Sequence, residues 1–142
     1  MKDLKTAKIR LFVGDCTCVL CKNEEMHVST ERGVKPLAKW LQSGADFSHF
    51  SAADKVVGKA TAFLYVLLKV KAVYAQVISA PALQVFLEHG IYAEYGEEVP
   101  SIINRKGDGI CPFEQCVLAV SDAQTAQWKI FAKLDEMGIF LS

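Results

Sequence analysis

Two short stretches of the chain carry residue types able to do chemistry at an identifiable position. The first is Ser51-Ala52-Ala53-Asp54-Lys55, ahead of a strongly apolar run. Val56, Ala60, Phe63, Leu64, Leu67 and Leu68 recur at helical spacing and predict a single helix over 51–68, with Asp54 and Lys55 in its first turn. A helix start offers unpaired backbone N–H groups and the positive end of the helix dipole, a setting for an anionic ligand. Ser51-x-x-Asp54 also reads as a capping box, in which Asp54 only satisfies its own helix end. Gly58 costs about 1 kcal/mol of helix propensity in such a segment, which points to close packing or to a ligand approaching the backbone. Lys55 and Lys59, four apart, are either ligand contacts or a solvated pair.

The second stretch is Cys111-Pro112-Phe113-Glu114. Proline suits the first helical position, so Cys111 is expected at the N-cap with Glu114 three residues on. A thiol there has its thiolate favoured by the dipole, and Arg105 just upstream could add positive charge, so the expected pKa of Cys111 lies below the ordinary value of about 8.5. Burial would reverse that direction and make Cys111 a core residue. Cys16-Thr17-Cys18-Val19-Leu20-Cys21 contains a C-x-x-C, but Val19-Leu20 is strand-like rather than a glycine-bearing turn. On a strand Cys16 and Cys18 would share one face and Cys21 the other, which argues against a metal cluster. His27, His49 and His89 are scattered, and only His49 lies near Asp54 in sequence.

These residues must be held by an α/β scaffold. A short amphipathic helix over 3–13 precedes strands at 17–22 and 26–29, joined by the turn Asn23-Glu24-Glu25. A helix over 36–42 follows. After the predicted 51–68 helix, 71–78 is an almost unbroken apolar run, the pattern of a strand covered on both faces. Ser79 then supplies an N-cap, Pro81 fits the first turn and Gly90 closes the helix before a strand at 91–95. That βαβ unit implies parallel strands with a right-handed crossover. A loop over 101–110 leads to a last helical region over 112–137, broken near Ser121-Asp122, where Asp122 caps the second half. The sum is an α/β sandwich, a mixed sheet with helices on both faces.

The chain has 142 residues, 51% apolar and 23% charged, enough for one domain with a full core and incompatible with disorder. Sixteen basic residues balance sixteen acidic ones, which argues against a general nucleic-acid binder. The longest apolar stretch, 60–68, is far short of the roughly 20 residues that span a bilayer. Five cysteines and no signal-peptide pattern predict free thiols in a reducing, cytoplasmic setting. Glu88, Glu94, Glu97 and Glu98, and the basic N-terminal segment, are either solvated faces or complementary patches between subunits.

Several blocks together carry a resemblance. Cys18-Val-Leu, Gly33-Val-Lys-Pro-Leu, Asp54-Lys-Val-Val-Gly-Lys-Ala, Val77-Ile-Ser, Asn104-Arg105 and Cys111-Pro-Phe-Glu114, in this order, resemble an uncharacterised prokaryotic family catalogued as a domain of unknown function. The resemblance runs from about Cys18 to Met137. It implies a three-layer α/β/α domain of cytidine-deaminase-like fold and no established activity. Zinc deaminases use His (or Cys)-x-Glu at one helix start and Pro-Cys-x-x-Cys at the next. Here the first predicted helix begins Ser51-Ala-Ala-Asp-Lys and the second Ser79-Ala-Pro-Ala-Leu, so the three zinc ligands are missing together. Zinc-dependent deamination of the usual kind is rejected, no cofactor is implied, and no stoichiometric zinc is expected. By this reading Asp54, Lys55, Cys111 and Glu114 are the candidate catalytic residues, and Ser79, Asn104 and Arg105 the candidate ligand contacts. They should converge on one cleft and take a small polar, nucleotide-like ligand. The alternative is a non-catalytic oligomerisation or interaction protein whose motif residues only cap helices and hold loops.

Overall fold

The computed structural model describes residues 2–104 and 106–141. Arg105, expected at the site, lies outside the described residues. Five strands form one mixed sheet, and among the described residues six helices pack on its two faces. The elements run α1 (Lys2–Val13), β1 (Cys18–Lys22), β2 (Glu25–Ser29), α2 (Lys35–Gln42), β3 (Ser51–Val57), α3 (Lys59–Leu68), β4 (Ala72–Ser79), α4 (Ala80–Glu88), β5 (Tyr92–Val99), α5 (Pro112–Cys116) and α6 (Ala123–Glu136). The strand order is β2-β1-β3-β4-β5. β1 is antiparallel to β2 and to β3, whereas β3, β4 and β5 are parallel. The expected α/β sandwich with helices on both faces is what the chain adopts.

One expected element is wrong, and it matters for the site. Residues 51–68 are not a single helix: 51–57 form the central strand β3, and the helix begins only at Lys59. Asp54 and Lys55 are therefore strand residues, and Ser51-x-x-Asp54 caps nothing. The strand was disguised by a break in its alternation. Ala52 and Asp54 point to the helical layer, and so does Val57, which is out of phase with them. β4 makes the same slip at the same level, where Val73 and Ala75 are followed inward by Ile78. Two adjacent strands that change phase together keep their parallel register while losing the period of two on which a strand is recognised.

The helical layer over one face is the larger. Phe63, Leu64, Leu68, Ile78, Val85, Phe86, Ile130 and Leu134 are buried there, between β3–β4 and the helices α3, α4 and α6. On the other face α1 lays Leu4, Ala7 and Leu11 against Val19, Cys21, Ala53, Ala72 and Tyr74. Cys16 joins this second cluster, so it shares a face with Cys21 and not with Cys18, because β1 starts only at Cys18. The hairpin turn needs the left-handed conformation, which Asn23 supplies at φ 55°. Among the described residues no helix is long and apolar enough to cross a membrane.

Candidate functional site

β3 and β4 deliver their following helices at their C-terminal ends, so α3 and α4 start side by side at one edge of the sheet. In open α/β sheets that edge is where ligands bind. α4 begins as expected. The buried Ser79 is its N-cap, and its Oγ accepts from the Ala82 N–H at 3.2 Å. Ser79 is thus already engaged within its own helix.

α3 begins differently. Its N-cap is Gly58, which has no side chain to offer. The caps come instead from Glu114, fifty-five residues on: Oε1 accepts from the Lys59 N–H at 2.8 Å and Oε2 from the Ala60 N–H at 2.9 Å. The carboxylate meets the positive end of the helix dipole and two orphan donors at once. Gly58 makes room for it, since a Cβ there would lie 2.5 Å from the Glu114 carboxyl carbon. The unpaired N–H groups that made a helix start attractive for an anion are occupied by the protein itself. Long-range capping by a carboxylate from another helix has no local sequence signal.

Asp54 lies deeper, under α3. It pairs with Cys18 across β1–β3 and with Ala75 across β3–β4. The Tyr65 O–H donates to Asp54 Oδ2 at 2.6 Å, and Cys18 Sγ lies 3.2 Å from the Tyr65 oxygen. With the phenolic proton directed at Asp54, the thiol is left as the donor to Tyr65. The three residues are 1% (Cys18), 0% (Tyr65) and 8% (Asp54) exposed. Burial pushes the Asp54 carboxyl up to about 7, against the opposing pull of the Tyr65 hydroxyl and of the Val56 and Lys55 N–H groups. Burial and the neighbouring Asp54 charge drive Cys18 and Tyr65 well above their ordinary values. Spacing points to Asp54, and to Cys18 only through the C-x-x-C, and carries no signal for Tyr65, so this buried hydrogen-bonded chain is visible only in the fold.

The other expected residues are placed as follows. Lys55 is half-buried on β3, with its N–H donating to the Thr17 carbonyl at 3.1 Å. Cys111 is the half-exposed N-cap of α5, a helix of five residues, and its side chain makes no capping bond. Asn104 folds its own loop. Its Oδ1 accepts from the Gly107 N–H at 2.8 Å, and its Nδ2 donates to Asp108 Oδ1 at 2.9 Å. No hydrogen bond joins Asp54 to Cys111 or Glu114 among the described residues. Glu114 sits at the edge where α3 begins, and Asp54 beneath the later turns of the same helix.

From the first turns of α3 and α4 and along α4 to its last residue runs a cleft of about 240 Å³, lined by Lys59, Phe63, Pro81, Gln84, Val85, Glu88, Val120 and Ser121. Its floor is apolar, and Lys59, Gln84, Glu88 and Ser121 supply polar groups. Lys59 Nζ donates to the Leu118 carbonyl at 3.1 Å, which ties the wall at 118–121 to α3. None of the expected residues lines the cleft; Glu114 is linked to it only through its bond to the Lys59 N–H. No group of three or more His, Cys, Asp or Glu that could hold a metal occurs among the described residues.

A mixed five-stranded sheet between helices, with a cleft where its parallel strands hand over to their helices, defines an α/β domain of the three-layer class. Residues 6–134 match the family model described as TM1506, domain of unknown function (DUF1893), and the chain belongs to this family. It is similar to the crystal structure of the DUF1893 family protein TM1506 from Thermotoga maritima, at 28% identity and a TM-score of 0.85 over 94% of this chain and 91% of that one. A more distant likeness is to the apo dCMP deaminase of cyanophage S-TIM5, at 15% identity and a TM-score of 0.43 over 69% of this chain and 94% of that one. No curated protein matches the chain.

Proposed function

We propose that the chain is a single small-molecule-binding domain whose ligand enters the cleft that runs along α4 from the first turns of α3 and α4. The observation that carries this reading is the position of the cleft, at the edge to which β3 and β4 both deliver their helices, over an apolar floor with exposed polar side chains at its rim. Its volume suits a ligand of a few heavy atoms up to the size of a nucleobase or amino acid. Glu114 and Ser79 already occupy backbone donors at the two helix starts. Ligand charge is therefore met by the Lys59 ammonium and the Glu88 carboxylate, which suits a zwitterionic or neutral polar molecule better than a phosphate. Five unpaired thiols support a reducing, cytoplasmic setting for this activity.

The test is a thermal-shift panel of amino acids, nucleobases, nucleosides and nucleotides, because a ligand bound only by the native state raises stability, by about 2.7 kcal/mol at a hundredfold excess over Kd. A compound that raises the midpoint of the wild type and not of Gln84→Leu or Glu88→Gln places the ligand in the cleft. A panel without any shift, or a shift that survives both substitutions, overturns the reading.

A further inference from the structure

α1 is the one described helix on its face of the sheet, and it packs chiefly over β1, β3 and β4. β5 is left beyond it, tied to α1 by the Lys8–Glu94 ion pair. Between helix and strand lies a hollow of about 300 Å³ lined by Leu4, Lys5, Lys8 and Glu94. The outer stripe of α1 is formed by Lys2, Lys5, Ile9 and Phe12, spaced to fall on one side, with Val13 beside them. Its first half is basic and its second apolar: Ile9 and Phe12 are 52% and 55% exposed and Val13 75%. On this face the strand across the hollow, β5, carries Glu94 and Glu97 and no basic residue, while Glu98 pairs with the inward Ile78 and lies on the other face beside Tyr95. Lys5 has no ion-pair partner among the described residues.

We propose that this face joins two copies of the chain about a two-fold axis, with their α1 helices antiparallel and each lying in the hollow between the other's α1 and β5. A two-fold contact must be self-complementary, each patch meeting its own copy turned round. The half-basic, half-apolar stripe meets that condition only in the antiparallel sense. Ile9 and Phe12 of one copy then cover the methylene stems of Lys5 and Lys8 in the other, and the reverse. Lysine stems are good apolar cover while their ammonium groups stay at the rim. Glu97 of β5, which unlike Glu94 is not held by Lys8, lies along the flank of the incoming helix and offsets its basic half, giving an apolar centre with a charged border. A parallel arrangement would set Lys2 and Lys5 of both copies against each other. Association through this face also covers the apolar side chains that a monomer leaves in water.

Light scattering coupled to size exclusion, with sedimentation equilibrium on the full chain from about 1 to 100 μM, tests this. The wild type is expected to be dimeric in that range. Ile9→Glu is expected to weaken the dimer about tenfold or more. Lys5→Glu is expected to weaken it less, and added salt to loosen the wild type. Both substituted side chains are exposed in the monomer, and unchanged circular dichroism and unfolding midpoint at low concentration establish that the variants fold. A wild type that stays monomeric throughout overturns the proposal, as does a dimer whose dissociation constant neither substitution changes.

Discussion

Replacing Asp54 by asparagine should make the protein more stable above neutral pH, a result opposite to the usual cost of altering a buried hydrogen-bonded residue. The reason lies in where the Asp54 proton is held. An unfolded chain ionises this carboxyl near 3.8, whereas burial beneath α3 holds it to about 7. The folded state therefore binds the proton more tightly. Its contribution to stability is fully present below pH 3.8 and is lost as pH rises through about 7. At about 1.4 kcal/mol per pH unit, the gap between the two values comes to roughly 4 kcal/mol, as an order of magnitude. Asparagine fills the same space, accepts the Tyr65 hydroxyl proton and never ionises. Thermal unfolding followed by circular dichroism from pH 5 to 9 should show a wild-type midpoint that falls relative to that of Asp54→Asn. The separation at pH 9 should be on the order of 10 °C for a chain of this size. Taking the difference between the two proteins cancels the titrations they share, those of the histidines included. Parallel profiles, or an Asp54→Asn variant less stable at pH 9 by a constant amount throughout, would show that the carboxyl is ionised and paired in the fold, and the argument from burial would fail.

The trans cap predicts a coupled pair. Glu114→Ala and Gly58→Ala should each cost roughly 2 kcal/mol in urea unfolding, and the double variant clearly less than their sum, because the second change removes a contact already lost. Strict additivity would mean that the carboxylate does not hold the start of α3. Ser79→Ala should cost about 1 kcal/mol or more, since the Ala82 N–H is left unpaired at a buried helix start. In native protein iodoacetamide should modify Cys111 and Cys116, with Cys116 slowed by its burial-raised pKa, while Cys16, Cys18 and Cys21 react only after unfolding. Mass spectrometry counts the labels, and a third label on the folded chain would contradict the burial of Cys16, Cys18 and Cys21.

What the sequence could and could not tell follows from the range of each signal. Ser79, Pro81 and Gly90 are local punctuation, and the helix they bracket forms where they put it, between two parallel strands. Asp122 likewise caps α6 through the Thr125 N–H. The hairpin at Asn23 is equally local. Residues 51–57 misled because their phase slips at Lys55–Val56 and two alanines favour a helix, so the apolar period of α3 extended backwards without conflict. Gly58 signals a close approach that is real, but what approaches is Glu114, from a segment fifty-six residues away. Asp54 reads as a helix-start residue, although its actual partners, Tyr65 and Cys18, lie on two other elements. Side-chain contacts between elements that are distant in sequence leave no trace in spacing, and both unforeseen arrangements here are of that kind.

The Glu114 bridge also sets an order of events during synthesis. All five strands, and the helices between them, are complete by Val99. A nascent chain that has emerged to that point can pair its whole sheet while the first turn of α3 still donates to water. Closure waits until α5 leaves the ribosome, at about 5–20 residues per second, so the interval lasts on the order of a second. During it the nascent domain is paired but unlatched, and a chain that stalls between Val99 and Glu114 keeps an open helix start that a released, full-length chain never presents.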